Sequence, residues 1–157
     1  MRRSDSIHLN VLDVFLIGVF LTSLLATAGS LFFSEVMRLP PCQLCWLQRI
    51  CMYPLVAISF VGMLRKSEEA VFFAMPLVLT GLGVAGYHNL LYYGFIENIV
   101  PCSQGVSCTS RQIEWLGFIT IPFLSLVAFA ILTGLILFTL RNLLQTSSKS
   151  TVKKMAV

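Results

Sequence analysis

Charge is scarce in this chain. Of its 157 residues only 11% are Asp, Glu, Lys or Arg while 57% are hydrophobic, and mean hydropathy is +0.85. That balance excludes a soluble domain of this size and a disordered chain alike, and makes the protein a membrane protein. Nothing remains for a separate soluble domain, because four segments long enough to cross about 30 Å of hydrocarbon use most of the residues. Acidic residues are fewer than basic ones, seven against eleven. The Lys and Arg stand scattered at the ends of apolar runs, so there is no basic patch of the kind nucleic acid requires. Internal repeats are absent, and the chain has only two histidines.

What is present is four apolar runs, which predict an all-α, integral-membrane four-helix transmembrane bundle in one domain. The crossings are expected at about 14–33, 46–64, 71–93 and 122–140. Gly81, Gly83 and Gly86 lower helix propensity in the third, but in a bilayer such glycines more often let helices pack closely. Pro122 suits the first turn of the fourth, where its missing N–H costs little. A cleavable leader ending near Ala26-Thr27-Ala28 is the competing reading of the first run. The run is longer than a signal core of about 7 to 15 residues and continues past that site, which favours a retained helix.

Basic flanks orient the bundle, since cytoplasmic loops keep the positive charge. Arg2, Arg3, Arg65, Lys66, Arg141, Lys149, Lys153 and Lys154 fall on one side, and Arg38, Arg49 and Arg111 on the other. Both termini are therefore expected in the cytoplasm and both longer loops outside. The polar tail at about 142–157 has nothing to pack against and is expected to be mobile.

That topology puts Cys42 and Cys45 in the first outward loop and Cys102 and Cys108 in the second. All four thiols then share an oxidising compartment, where an exposed pair persists as a disulfide. Cys42-Gln43-Leu44-Cys45 sits at a helix N-terminus, where unpaired N–H groups and the helix dipole favour a thiolate. Pro40 and Pro41 stiffen the approach. Cys102 and Cys108 enclose a short loop, and a disulfide there gains only roughly 2 to 2.5 kcal/mol in the chain-entropy model. It is suited to being broken and remade. From Tyr93 to Cys102 the chain reaches up to about 30 Å when extended, so exchange between the pairs through an interloop disulfide is geometrically permitted. Two static disulfides and a four-thiolate zinc site are the alternatives. The oxidising side and the unequal spacing disfavour zinc, and no metal is expected.

The chain resembles the DsbB/BdbC membrane thiol oxidases, or disulfide formation proteins. The resemblance rests on Pro41-Cys42-Gln43-Leu44-Cys45-Trp46-Leu47-Gln48-Arg49, on the second outward pair, and on Arg111-Gln112-Ile113-Glu114-Trp115-Leu116-Gly117-Phe118 leading to Ile121-Pro122-Phe123. It covers essentially the whole chain and is closest to the short BdbC-type branch, whose second pair is close together as Cys102 and Cys108 are.

The resemblance implies a protein-disulfide oxidoreductase of the bacterial cytoplasmic membrane, with redox-active disulfides Cys42–Cys45 and Cys102–Cys108. It would reoxidise a soluble DsbA/BdbD-like thioredoxin-fold oxidase and pass the electrons to a membrane quinone, ubiquinone or menaquinone, supporting disulfide formation in exported proteins. Cys102 and Cys108 would take electrons from the partner, and Cys42 and Cys45 would pass them on, with Cys45 nearest the quinone. A quinone is the better sink. Remaking a disulfide near about −120 mV against a glutathione-like pool near about −200 mV is uphill by roughly 4 kcal/mol.

Arg49, four residues beyond Cys45 and so on the same helical face, is placed to stabilise the thiolate and charge growing on the quinone; snorkelling to headgroups is its plainer role. His88 is a candidate for a quinone hydrogen bond or proton, against an ordinary packing histidine. Tyr87, Tyr92, Tyr93 and Trp115 read as aromatic-belt anchors. Cys51, inside an apolar run, reads as a quiet structural thiol. Two rivals are a non-enzymatic tetraspan interaction protein with structural disulfides and a vitamin K epoxide reductase-like enzyme. The latter resembles proteins whose C-x-x-C lies at a late helix, unlike Cys42 and Cys45.

Overall fold

The computed structural model describes residues 3–95 and 120–155, with side chains described from 11 to 142 within those stretches and at 144 and 145. Four helices make up the described chain: α1 (Arg3–Leu31), α2 (Gln43–Arg65), α3 (Glu69–Tyr92) and α4 (Ile121–Met155), with a π-helical turn, Phe32–Val36, continuing α1. Each is long and apolar enough to cross a bilayer, over Val11–Val36, Gln43–Arg65, Glu69–Tyr92 and Ile121–Asn142. Each helix packs on the next and α4 closes back on α1.

Apolar side chains fill both sides of the helices. Phe15, Leu16 and Val19 of α1, Leu55 of α2, Val71 and Val78 of α3, and Phe129 and Leu132 of α4 meet in one buried core. Val14, Leu25, Leu64, Phe72, Phe73, Leu137 and Phe138 point outward. A soluble bundle shows a polar outer stripe; a bundle apolar all round has lipid as its solvent.

Helix ends differ from the sequence-based expectation in instructive ways. α2 begins at Gln43, three residues before the expected 46, because Cys42 serves as its N-cap: its Sγ accepts from the Cys45 backbone N–H at 3.4 Å. α4 begins at Ile121, capped by Thr120, whose Oγ1 accepts from the Phe123 N–H at 3.3 Å. The backbone of α4 continues as helix to Met155 through the stretch where a mobile tail was expected; no Gly or Pro interrupts it there. Pro54 and Pro76 lie inside α2 and α3. Membrane helices tolerate this because neighbouring groups re-satisfy the freed carbonyls.

Of the three glycines in the middle of α3, Gly81 makes the close approach: a Cβ there would run into the Phe129 ring of α4, whereas Gly83 and Gly86 have nothing within 4 Å. Gly81→Ala is therefore expected to cost about 1–3 kcal/mol through overpacking, enough to outweigh its gain in helix propensity. Gly83→Ala and Gly86→Ala should be neutral or slightly stabilising. Thermal unfolding in detergent separates the cases, and equal effects at all three would show that the Phe129 contact is not limiting.

Candidate functional site

The site lies at one end of the bundle, where the short connection after α1 delivers Cys42 to the start of α2. Cys42 is 7% exposed and packs with Leu44 and Leu91, with Cys45, Val84 and Tyr87 alongside. One helical turn on, Cys45 brings its Sγ to 2.8 Å from the Cys42 Sγ, with the pair in the dithiol form. A disulfide bond is about 2.05 Å long, so a small shift of either sulfur closes it.

Behind Cys42 lies His88 of α3, 2% exposed. Its Nε2 is 3.8 Å from the Cys42 Sγ, and its Nδ1 is 3.4 Å from the Gln48 Nε2. The two sulfurs and a ring nitrogen lie within 4.8 Å of one another, a donor set soft enough for a metal. They are three donors among the described residues, one short of the four that close a structural zinc site.

On the other side of the pair a cavity of about 470 Å³ opens between α1, α2 and α4. Thr22, Ala26, Gly29 and Ser30 line it from α1; Pro40 and Pro41 from the connection; Cys45, Gln48, Arg49, Met52 and Tyr53 from α2; Leu124, Ser125, Ala128 and Phe129 from α4. Cys45 and Arg49 thus share one wall, as their spacing predicted.

Arg49 is held from two directions. Its Nε donates to the Ser30 Oγ at 2.8 Å and its Nη2 to the Ser30 carbonyl at 2.9 Å. The guanidinium carbon also lies 5.4 Å from the centre of the Trp46 ring, a cation–π contact. Ser30 stands just before the π-helical turn, and Ser34 within it donates its hydroxyl to the same carbonyl at 3.2 Å. π turns recur at functional sites, where the wider turn re-aims groups of the helix. Tyr53 also lines the cavity, and its buried hydroxyl has no hydrogen-bond partner among the described residues.

The hydrogen bond with Cys45, and then burial, push the Cys42 thiol up from 9.0 to about 12, against a lowering contact from His88. These contacts oppose the helix N-terminus, which favours a thiolate at a C-x-x-C in that place. In the reduced pair Cys42 holds its proton. The Cys45 contact and burial thus favour the neutral form of Cys42 at ordinary pH. Brief alkylation of the reduced protein at pH 8 should label Cys45 well before Cys42, as peptide mapping would show; Cys42 labelling first would contradict this.

The other expected residues are placed as follows. His88 is not among the residues lining the cavity and sits against Cys42 instead, so the structure brings it to the thiol pair and not to Arg49. Cys51 is buried in the main core. Tyr92 and Tyr93 stack edge to face at the end of α3, and Tyr87 packs against the Cys42 cluster. Cys102, Cys108, Arg111 and Trp115 lie outside the described residues. Sequence reasoning missed Ser30, Gln48 and Tyr53. The heptad-like spacing of Cys45, Arg49, Met52 and Tyr53 was a usable signal for Tyr53, but nothing in the sequence pairs Ser30 with Arg49.

Comparison with known proteins supplies the wider setting. Residues 13–139 match the family described as disulfide bond formation protein DsbB. A "Probable disulfide formation protein C" of Halalkalibacterium halodurans is 42% identical over 74% of this chain and 86% of its own length. "Disulfide bond formation protein C" of Bacillus subtilis is 41% identical over 76% of this chain and 87% of its own. A "Probable disulfide formation protein C 2" of Bacillus cereus reaches 46% over 68% and 77%. No solved structure gives a significant match.

Proposed function

This chain belongs to the DsbB family of disulfide bond formation proteins, and from that premise we propose that it oxidises a thioredoxin-fold partner outside the cytoplasm and passes the electrons to a membrane quinone. The observation that carries the proposal is the cavity, which brings Cys45, Arg49 and Tyr53 to one largely apolar wall. Its volume is within the range of about 300–1,000 Å³ typical of small-molecule sites. The Arg49 guanidinium is a fixed donor on that wall, and a ligand with acceptor oxygens can meet it. A quinone headgroup has such oxygens, is flat and apolar, and arrives through lipid.

Cys45, Arg49 and Tyr53 would hold the quinone. When bound, it supplies a two-electron acceptor within reach of the Cys45 sulfur. The chain's own residues do the rest. Arg49, fixed by Ser30 and Trp46, keeps a positive charge on the cavity wall where negative charge must develop, so little reorganisation is needed during reaction. Cys42, out of the cavity and one turn from Cys45, is the sulfur that closes the disulfide as electrons leave the pair. Cys102 and Cys108 are the proposed receiving pair for electrons from the partner, through a transient disulfide with the first pair. The family supports the bacterial cytoplasmic membrane, and the distribution of Lys and Arg supports both termini inside.

The test is turnover. Purified protein, a reduced thioredoxin-fold partner and a short-chain quinone should together reduce quinone and oxidise partner in equal amounts. Partner oxidation that proceeds without any quinone or other added acceptor would contradict the reading.

A further inference from the structure

We propose that His88, its tautomer fixed by Gln48, is a hydrogen-bond donor to the Cys42 sulfur and holds the negative charge that this sulfur carries whenever it leaves or attacks a disulfide. The proposal rests on the reading of Cys42–Cys45 as the redox pair, and it does not depend on what accepts the electrons.

The geometry carries it. His88 is 2% exposed and Cys42 7%, so their contact at 3.8 Å is shielded from water. On the far side of the ring the amide nitrogen of Gln48 stands 3.4 Å from Nδ1. With its amide nitrogen turned to the ring Gln48 donates, so Nδ1 accepts and the ring N–H lies on Nε2, the atom facing sulfur. His88 is then a donor to Cys42 and not a base. Among the described residues, the titratable groups acting on Cys42 are Cys45 of α2 and His88 of α3; Cys45 favours the neutral thiol, and His88 is the group that favours charge. Arg49 is turned away, toward Ser30 of α1.

The chemical need is clear from the exchange steps. When a disulfide between Cys42 and another cysteine is broken by an attacking thiolate, a new S–S bond forms at the attacked sulfur and the electron pair of the old bond stays on the Cys42 Sγ. No proton has to move; the Nε2–H stabilises the departing thiolate where it stands. The same thiolate can in turn attack a disulfide: the bond from the Cys42 sulfur to the attacked sulfur forms, the old S–S bond breaks, and its electron pair leaves on the far sulfur. In a pocket that otherwise pushes Cys42 toward its neutral form, one donor decides how readily both steps occur.

The test isolates Cys42 by replacing Cys45, Cys51, Cys102 and Cys108 with Ala and follows its alkylation rate against pH in detergent. His88→Leu should raise the pH midpoint by about one unit, a tenfold loss of thiolate at pH 7. Gln48→Leu should move it the same way by less, because the ring can then adopt either tautomer. His88→Gln, which keeps an N–H donor, should recover at least half of the shift. An unchanged midpoint in His88→Leu overturns the proposal, and so do equal midpoints for the Leu and Gln replacements, which would mark a packing role. Quinone turnover by the unsubstituted protein is a separate readout: its absence would sink the proposed acceptor and leave a shifted midpoint standing.

Discussion

Cys45→Ser should abolish quinone reduction, with a loss of at least about a thousandfold, over 4 kcal/mol of barrier. The reason is positional. Of the two sulfurs in the pair, Cys45 lines the cavity and Cys42 does not. A hydroxyl in place of the Cys45 thiol has neither the nucleophilicity nor the ability to form the disulfide that releases electrons. Cys42 keeps its own sulfur in this variant, so it should accumulate as a mixed disulfide with a cysteine of the second pair, visible on non-reducing gels and lost on reduction. Cys51→Ser serves as the control. Cys51 is buried in the core away from the cavity, and turnover should change by less than about twofold. Robust quinone reduction by the Cys45→Ser protein would mean that another thiol faces the acceptor.

The second large effect is expected at Arg49. Arg49→Met removes the fixed charge while keeping much of the side chain's bulk, and should lower kcat/KM for quinone by about a hundredfold, in the range found when one preorganised donor is removed from a developing negative charge. Arg49→Lys should recover little. Both contacts to Ser30 come from different nitrogens of one planar group, Nε to the hydroxyl and Nη2 to the carbonyl. A single ammonium cannot make that forked pair or stack on Trp46 in the same way. Ser30→Ala, which deletes one of the two anchors, should cost several-fold at most. The measurement is steady-state turnover with short-chain quinone at saturating partner. If Arg49→Lys matches the original protein, the charge matters and the forked anchoring does not; if Arg49→Met does too, the residue is only snorkelling.

The fold was legible because a bilayer leaves few choices. Runs of about twenty apolar residues separated by charged turns must form helices, and the four expected crossings overlap the four helices. The helix starts were less legible, since Cys42 and Thr120 cap through side-chain contacts that apolar periodicity does not register. For Cys45 and Arg49 the spacing of four residues was sufficient, because both lie on one helix. His88 shows the limit. Its depth in α3 was readable, but its face depends on how α3 rotates against α2, and that rotation is set by contacts such as Gly81 on Phe129 that no local pattern reveals. The Arg49–Ser30 anchor is hidden for the same reason, joining α2 to the last turn of α1.

The central claim is that the Cys42–Cys45 pair alone delivers two electrons to a quinone in the adjoining cavity. It is tested most directly in a single turnover without partner. A variant carrying Ala at Cys51, Cys102 and Cys108 is reduced, freed of reductant, and mixed anaerobically with one equivalent of short-chain quinone. Thiols are then counted by mass-tag alkylation while quinone absorbance is followed. The account predicts that one quinone is consumed for each Cys42–Cys45 disulfide formed. Both thiols remaining alkylatable while the quinone absorbance stays unchanged would contradict it.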